Sequence, residues 1–480
     1  MVTFKSAPDL RPRPCVGSLL DIPFGSYHTG KYGDSILNGG FANFTGIVAR
    51  GNMYKTTLAL SICLRVFDRY CKDDENAGFD LYDTELTASW ARMEQLGQYL
   101  SDDFSMDTYR DRGQLILTTH EEYFGNQWWA TVVEQAKERA KAAKSIRRKT
   151  PFLDRKGGDI EMIPPFIHMI DSLSQFRTES IDKIFDENEI GDATTTTAPM
   201  RDGGVKTQLI NQAPNVSTGS GIYLLMTAHL GDQIKTDPYQ PSIQKLQYVK
   251  KGQTFKNVPE KFTFLTSACW VITDAQPLIR QQDKTLEYPR KNQKAFTNDP
   301  DLQILTLVNV RSKFGPTGHV FKLIVSQQEG LLPSLSEFHH LKSRKDKFGL
   351  LGPEGIHKDW RLALYPDVLI KRTQIRDLID EDPRLRRALE ITAELCQIYE
   401  YWNNIPEEEK IEPSELKAGI EKKGYDWNRL LDTRGYWTFD HYENPVPPLS
   451  TMDLLNIYHD RYKPFWYDQK DSSSKKGSKK

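Results

Sequence analysis

The residues with the clearest chemical potential are Lys55 and Thr56, which directly follow a tight turn. An apolar run over residues 44–49 predicts a buried strand, and apolar residues with helical spacing begin at Leu58. A strand, a tight loop, Lys-Thr and a helix form the layout of a phosphate-binding loop. In such a loop Lys55 contacts the β- and γ-phosphates of ATP, and the Thr56 hydroxyl binds Mg²⁺. The predicted nucleotide-binding residues are Arg50, Gly51, Asn52, Met53, Tyr54, Lys55, Thr56 and Thr57.

The match to the phosphate-loop pattern is incomplete. The pattern G-x-x-x-x-G-K-[ST] places Ala49 and Tyr54 where the two glycines usually stand. Tyr54 is the larger departure, because a glycine at that position lets the backbone approach a phosphate. The alternative is an ordinary strand-to-helix turn followed by a surface lysine.

Carboxylates follow two further predicted strands. The strand predicted at 79–85 carries Asp83 and Glu85, and the apolar strand predicted at 165–172 leads into Asp171. An aspartate at the carboxyl end of a buried strand suits Mg²⁺, and parallel strands would bring it to the same edge of the sheet as Lys55. The predicted metal ligands are therefore Thr56 and Asp171. The residues alone leave open which of Asp83 and Glu85 is catalytic.

Composition restricts the class of protein. Of the 480 residues 38% are hydrophobic, which is enough for a sizeable core, and the formal net charge is −1. Nucleic-acid binding must therefore come from local basic patches. The five cysteines lack metal or disulfide spacing and there is no long apolar run, which predicts an intracellular protein without a membrane segment. His339 and His340 show no metal-ligand spacing and are interpreted as structural.

In their order along the chain these motifs resemble the RecA-type recombinases, and more closely the UvsX recombinases of tailed phages. The resemblance extends over roughly residues 16–348. It rests on segments 17–21, 49–57, 81–85, 170–173, 227–229 and 310–313.

The resemblance implies a role for each remaining candidate. Glu85 would activate the attacking water, and His229 would sense the γ-phosphate. Arg311 and Lys313 would reach the ATP of a neighbouring subunit. The implied protein is a DNA-dependent ATPase that uses ATP and Mg²⁺, forms a helical filament on single-stranded DNA and exchanges strands with double-stranded DNA. It would serve DNA recombination, repair and replication in the cytoplasm of a phage-infected bacterial host.

The expected fold class is α/β, a RecA-like core with a mostly parallel sheet flanked by helices, plus a mainly helical C-terminal domain. Lysines alternate with aromatic residues in 230–261, which predicts contact with single-stranded DNA. The predicted divisions are an N-terminal arm (1–16), the ATPase core (17–348) with an insertion near 100–164 and DNA loops near 178–220 and 230–261, a C-terminal domain (349–469) and a disordered basic tail (470–480).

Several alternatives stay open at this point. The same fold could serve a replicative helicase, or a nucleotide-binding scaffold that does not hydrolyse ATP. His229 could be a strand-end histidine, and Arg311 and Lys313 a solvated turn. The basic segment 371–387 predicts either a helix-turn-helix that contacts duplex DNA or a packed helical hairpin.

Overall fold

The structure is a computed structural model. It describes residues 8–188, 192–233, 241–293, 296–354, 359–401 and 406–468. Within these ranges the largest element is a sheet of ten strands.

The strands are β1 (Ser26–Thr29), β2 (Ser35–Asn38), β3 (Phe44–Ala49), β4 (Gly78–Asp83), β5 (Leu115–Thr119), β6 (Arg148–Leu153), β7 (Asp159–Met162), β8 (Phe166–Asp171), β9 (Ile222–Asp232), β10 (Gln253–Lys256), β11 (Ala268–Pro277), β12 (Leu302–Ser312), β13 (Val320–Ser326), β14 (Gly330–Leu331), β15 (Leu350–Glu354), β16 (Asp359–Leu362) and β17 (Tyr365–Ile370). The helices are α1 (Ser18–Phe24), α2 (Lys55–Tyr70), α3 (Trp90–Gly97), α4 (Met106–Asp111), α5 (Gly125–Lys141), α6 (Ala143–Ile146), α7 (Glu179–Glu187), α8 (Ala193–Ser217), α9 (Lys261–Leu265), α10 (Pro333–Ser343), α11 (Ile375–Glu381), α12 (Pro383–Tyr401), α13 (Pro413–Lys422), α14 (Trp427–Leu431) and α15 (Thr451–Tyr458).

The centre of the main sheet is parallel. Six strands lie in the order β11-β3-β9-β8-β4-β5, and each neighbouring pair is parallel. Beyond β11 the sheet continues through antiparallel β12, β13 and β14, and β10 pairs with the end of β9. Every residue of β3, β4 and β8 is buried, as expected for parallel strands that helices cover on both faces.

Alternating side chains of β3 point into two different cores. Ile47 and Ala49 belong to a cluster that includes Leu58 and Leu60 of α2. Phe44 and Val48 belong to a second cluster, formed with residues of α5 and α8. Because successive side chains of a strand face opposite sides, the sheet is the middle layer between α2 on one face and α5 with α8 on the other. The predicted fold class, a mostly parallel sheet flanked by helices, is confirmed.

The C-terminal region is mainly helical, as predicted, and begins with a small antiparallel sheet of β15, β16 and β17. It shares its apolar core with the main sheet: Leu302 and Ile324 lie in one cluster with Leu385 and Leu389 of α12. Helix α12 also packs on α1 and α10. The composition change at residue 349 therefore does not coincide with a break in packing.

The end of the predicted N-terminal arm is part of the core. Arg13 and Cys15 are buried, and the Trp437 indole donates a hydrogen bond to the Arg13 carbonyl oxygen at 2.9 Å. Tyr223 of β9 packs in the same core cluster as Cys15. Apolar contact with both the sheet and the C-terminal region orders the residues preceding α1.

The segment 178–220, predicted to be a long DNA loop with a helix near residues 206–212, is mostly helical, so far more of it is regular than predicted. It contains α7 and α8. Its threonines, glycines and prolines have low helix propensity, but Leu209, Ile210 and Ala213 of α8 are buried in the core beside the sheet. Burial of an apolar face thus overrides local preference.

Most of the predicted insertion at 100–164 belongs to the layered fold. Strand β5 pairs with β4 at one edge of the main sheet, and α5 packs on α8. Within this segment β6 and β7 form a separate antiparallel hairpin.

The predicted DNA loop at 230–261 starts as regular structure. Strand β9 continues to Asp232 and pairs with β10, whose Lys256 lies opposite His229. Tyr248 is exposed, whereas Phe255 is buried and cannot stack on a base. Residues 234–240, and with them Tyr239, lie outside the described residues, as does the predicted tail at 470–480.

Of the two alternatives for the basic segment 371–387, the structure shows the packed helical hairpin. Its helices are α11 and the start of α12. Arg376 is buried and donates to Asp301 at 3.1 Å and to Glu329. Arg387 is also buried and donates to Glu390 at 2.6 Å. These guanidinium groups are committed to internal partners, which argues against duplex contact through them.

No helix in the described part of the chain is long and apolar enough to cross a membrane.

Candidate nucleotide-binding site

The predicted phosphate loop, the two carboxylates and His229 meet at one edge of the sheet. They lie at the carboxyl ends of four adjacent parallel strands, β3, β9, β8 and β4. In the register Ala49 pairs with His229, and Asp83 pairs with Asp171. This edge is where open α/β sheets bind ligands.

The loop between β3 and α2 has two residues in the left-handed backbone region, Asn52 and Tyr54, both with φ of 59°. Tyr54 precedes the first residue of α2, where the sequence pattern expects glycine. Its hydroxyl accepts a hydrogen bond from Gln327 Nε2 at 3.1 Å, and its ring packs against the core beneath α2. The hydrogen bond and the packing of the ring therefore hold Tyr54 in a backbone conformation that normally favours glycine.

The other loop residues have identifiable places. Arg50 pairs with Asp232 at the end of β9, at 2.7 Å, and Met53 packs against the core. A methyl group added to Gly51 would meet nothing within 4 Å. The loop is thus tied to β9 on one side and to the core on the other.

Lys55 is buried and its ammonium group lies between two carboxylates. Nζ is 3.1 Å from Glu85 Oε1 and 3.4 Å from Asp171 Oδ1. The hydroxyl of Thr56 donates to Asp171 Oδ2, and that of Thr227 donates to Asp171 Oδ1. A lysine, two hydroxyls and two carboxylates converge on one point.

This donor set fits Mg²⁺ and a phosphate. Thr56 and Asp171 present hard oxygen donors in direct contact with each other, which is the ligand type Mg²⁺ prefers. Lys55 lies at the start of α2, where the helix dipole and backbone N–H groups favour an anion. The residues therefore fit a metal-bound polyphosphate.

Glu85 is strongly held in its ionised form. Its Oε1 lies 2.8 Å from His229 Nε2, and this hydrogen bond is the main cause that lowers the pKa of Glu85 to about 2, with Lys55 adding to it. A carboxylate with so low a pKa is a weak proton acceptor at neutral pH. In this arrangement Glu85 is better suited to orient water than to remove a proton.

Asp83, the competing carboxylate, is occupied by the backbone. It is fully buried, and its two oxygens accept N–H groups from Glu85 at 2.9 Å and from Ala88 at 2.6 Å. These bonds shape the turn that carries Glu85. Asp83 thus stabilises the turn, and Glu85 is the carboxylate of the two that remains accessible to solvent.

Arg311 and Lys313 lie at the opposite edge of the sheet. Arg311 pairs with Cys269 at the start of β11, and the Lys313 N–H donates to the Ser267 carbonyl at 2.9 Å. Strand β3 spans six residues, which at about 3.3 Å per residue separates its ends by roughly 17 Å. These two cations and Lys55 are therefore not brought together within one chain.

The sequence did not identify some residues that complete the site. Gln327 follows β13, far away in sequence, and Arg92 Nη2 lies 3.4 Å from the Thr57 hydroxyl. Ser174 accepts the His229 N–H at 2.9 Å. A polar residue shortly after the Asp171 strand was a usable signal for Ser174, but nothing local pointed to Gln327.

Similarity to known proteins is found among solved structures. No protein-family model matches the chain, and no curated protein matches it. Among solved structures, a crystal structure of the RadB recombinase is similar over 61% of this chain and 92% of its own, with 14% identity and a TM-score of 0.30. A likeness this weak decides neither fold nor function, which therefore rest on the geometry above.

Proposed function

We propose that the protein is a DNA-dependent ATPase that acts as a homologous recombinase. The observation that supports this proposal most is the meeting of Lys55, Thr56, Glu85 and Asp171 at one sheet edge. Lys55 and the start of α2 bind the phosphates, and Thr56 and Asp171 hold Mg²⁺. The bound metal and triphosphate supply a polarised phosphoryl group for attack by water.

Glu85 then orients the attacking water, and His229 and Lys55 fix the orientation of Glu85. Replacement by glutamine keeps the size of the side chain and removes its charge. Glu85→Gln should lower kcat by about 10²-fold or more while ATP binding persists. Wild-type turnover in this variant would remove Glu85 from the mechanism.

The position of Arg311 and Lys313 supports a filament. These side chains can reach a bound triphosphate only if it belongs to another chain stacked on this edge of the sheet. Such a contact joins two different surfaces, and repetition of it without closure produces an open helix. We therefore propose that Arg311 and Lys313 stabilise charge on the ATP of the neighbouring subunit.

Exposed lysines in the segment that follows the sensor histidine support contact with single-stranded DNA. Lys250, Lys251 and Lys256 are exposed, as is the ring of Tyr248. Lys256 lies directly opposite His229 in the β9–β10 pair. Cations for phosphates and a ring for a base are the usual means of binding single strands.

A mixing experiment tests the arrangement between subunits. Lys55→Ala lacks its own phosphate contact, and the double variant Arg311→Ala with Lys313→Ala lacks the contact to its neighbour. Each alone should show little ATPase activity with single-stranded DNA. Mixed in equal amounts and associated at random, about one interface in four contains both intact halves, and activity should return in proportion.

The control mixture combines Lys55→Ala with Glu85→Gln, which damage the same site. In every pairing the chain that supplies the site is defective, so activity should not return. Recovery in the control, or none in the test mixture, contradicts the proposal that the cations act on a neighbour.

Electron microscopy with single-stranded DNA and a non-hydrolysed ATP analogue tests the assembly. Extended helical filaments are expected. Closed rings would favour the replicative helicase, and a lack of turnover with and without DNA would favour the scaffold. Strand exchange between single- and double-stranded DNA is the direct assay of recombination. A place in the cytoplasm of a phage-infected bacterium remains a prediction.

A further inference from the structure

Three potential metal ligands meet outside the nucleotide site. His340 lies on α10, and Cys396 and Glu400 lie on α12, which packs against α10. Cys396 and Glu400 are four residues apart, so they lie on the same face of the helix. His340 was interpreted from the sequence as structural because it has no metal-ligand spacing to other candidate residues; Cys396 lies 56 residues further along the chain.

The spacing of the ligand atoms is close to that of a tetrahedral zinc site. His340 Nε2 is 3.8 Å from Cys396 Sγ and 3.6 Å from Glu400 Oε2. The three ligand atoms all lie within 4.8 Å of one another. With metal–ligand bonds of about 2.0–2.3 Å, tetrahedral ligands are roughly 3.3–3.6 Å apart. Small side-chain rotations would complete this geometry.

The two oxygens of Glu400 have different surroundings. Oε1 forms an ion pair with the guanidinium of Arg344. The same guanidinium donates a hydrogen bond from Nη2 to Asp346 Oδ2 at 2.7 Å. Oε2 faces His340, is buried, and accepts no hydrogen bond within the described residues. Carboxylates that bind a metal are usually hydrogen-bonded by neighbouring groups. Arg344, which also hydrogen-bonds Cys396, would do this for Glu400.

We propose that His340, Cys396 and Glu400 bind a divalent metal ion of the zinc class, with water as the fourth ligand. A thiolate, an imidazole and a carboxylate together select a borderline ion over Mg²⁺, which prefers oxygen alone. The thiolate and carboxylate balance the two positive charges of the ion, and Cys396 loses its proton on binding. The ion joins α10 to the end of α12, so its role is to stabilise the C-terminal region. None of the three residues belongs to the proposed ATPase site, and the proposal does not depend on it.

Cobalt titration of the full chain tests the site. Metal is first removed with a chelator, and Co²⁺ is then added while the absorption spectrum is recorded. Binding to Cys396 should produce a sulfur-to-cobalt charge-transfer band that saturates at one equivalent and disappears when Zn²⁺ is added. The Thr56–Asp171 pair has no sulfur and cannot produce this band.

Matched variants test whether the charge-transfer band comes from Cys396. Cys396→Ser should abolish it, whereas Cys269→Ser, which removes another buried free cysteine, should leave it unchanged. Glu400→Gln should weaken Co²⁺ binding at least tenfold. Circular dichroism checks that each variant is folded, and His340→Gln, with the same tenfold loss expected, replaces Cys396→Ser if the latter does not fold.

A second readout is thermal unfolding. Zn²⁺ should raise the Tm of the metal-free wild type and leave that of Glu400→Gln nearly unchanged, because binding to the native state stabilises it. Absence of the charge-transfer band in the wild type, or its persistence in Cys396→Ser, would overturn the proposal.

Discussion

Replacing Tyr54 by glycine, alanine and phenylalanine isolates the backbone conformation of the phosphate loop. Tyr54 has φ 59° and ψ 22°, in the left-handed region. That conformation costs a non-glycine residue about 1–2 kcal/mol, whereas glycine adopts it freely. Glycine in turn costs about 0.5–1 kcal/mol through the greater freedom of the unfolded chain. Both Tyr54→Gly and Tyr54→Ala lose the ring, so their difference reports the backbone alone.

The expected order of stability among the variants is therefore unusual. Tyr54→Gly should be more stable than Tyr54→Ala by about 0.5–1 kcal/mol. Tyr54→Phe keeps the ring and loses the hydrogen bond from Gln327, which is worth about 0.5–1.5 kcal/mol. Urea unfolding followed by far-ultraviolet circular dichroism measures these differences.

Replacement of Thr57 by glycine and by alanine is the matched control. Thr57 lies inside α2, where alanine should exceed glycine by about 1 kcal/mol. If alanine also exceeds glycine at position 54, the loop is not left-handed there, and the account of how Tyr54 replaces a glycine is refuted. ATP binding should persist in Tyr54→Gly, because the backbone proposed to contact phosphate is preserved.

Three further predictions concern stability. The pKa of Glu85 is lowered from 4.5 to about 2, so its ionised form stabilises the fold above about pH 4.5, and this contribution, about 1–2 kcal/mol once solvent screening of this partly exposed carboxylate is allowed for, disappears as the pH falls towards 2. The difference in unfolding free energy between wild type and Glu85→Gln should shrink over that range, and the shrinkage should be smaller in a His229→Ala background. Gly203→Ala and Gly204→Ala should each stabilise α8 by about 1 kcal/mol, since an added methyl meets nothing within 4 Å. A Tm lower than that of the wild type would show that the helix is not formed there. Lys206→Met leaves two backbone carbonyls and the Asp202 carboxylate without their partner and should destabilise the protein by about 1–3 kcal/mol in urea unfolding, whereas unchanged stability would mean that this buried lysine contributes nothing net.

Local signals predicted the strand, loop and helix at the proposed nucleotide-binding edge of the sheet. The apolar run of β3, the turn and the helical spacing after Lys55 depend on neighbours in sequence, so a strand, loop and helix could be derived from them. Asp171 follows an apolar strand, and parallel pairing brings it beside Lys55 with no further information. The same reasoning could not separate Asp83 from Glu85, because the backbone bonds that occupy Asp83 depend on a turn outside the strand.

Long-range packing explains what the sequence did not predict. Helix α8 contains glycine, proline and many threonines, and only burial of Leu209 and Ile210 against the sheet makes it helical. The cluster of His340, Cys396 and Glu400 depends on how α10 meets α12, which no local spacing records. Positions that are set by such contacts between distant elements are not readable from periodicity or short motifs.

A short chain of contacts joins the proposed nucleotide-binding edge to the segment proposed to bind DNA. His229 touches Glu85 through its ring and Ser174 through its backbone N–H. The Ser174 hydroxyl donates to the Lys256 carbonyl at 2.9 Å, and Lys206 donates to the Ser174 carbonyl at 3.1 Å. Because Lys206 is part of α8 and Lys256 is part of β10, both segments rest on the same serine. A change in what Glu85 contacts would therefore reach both segments through two hydrogen-bonded residues, His229 and Ser174.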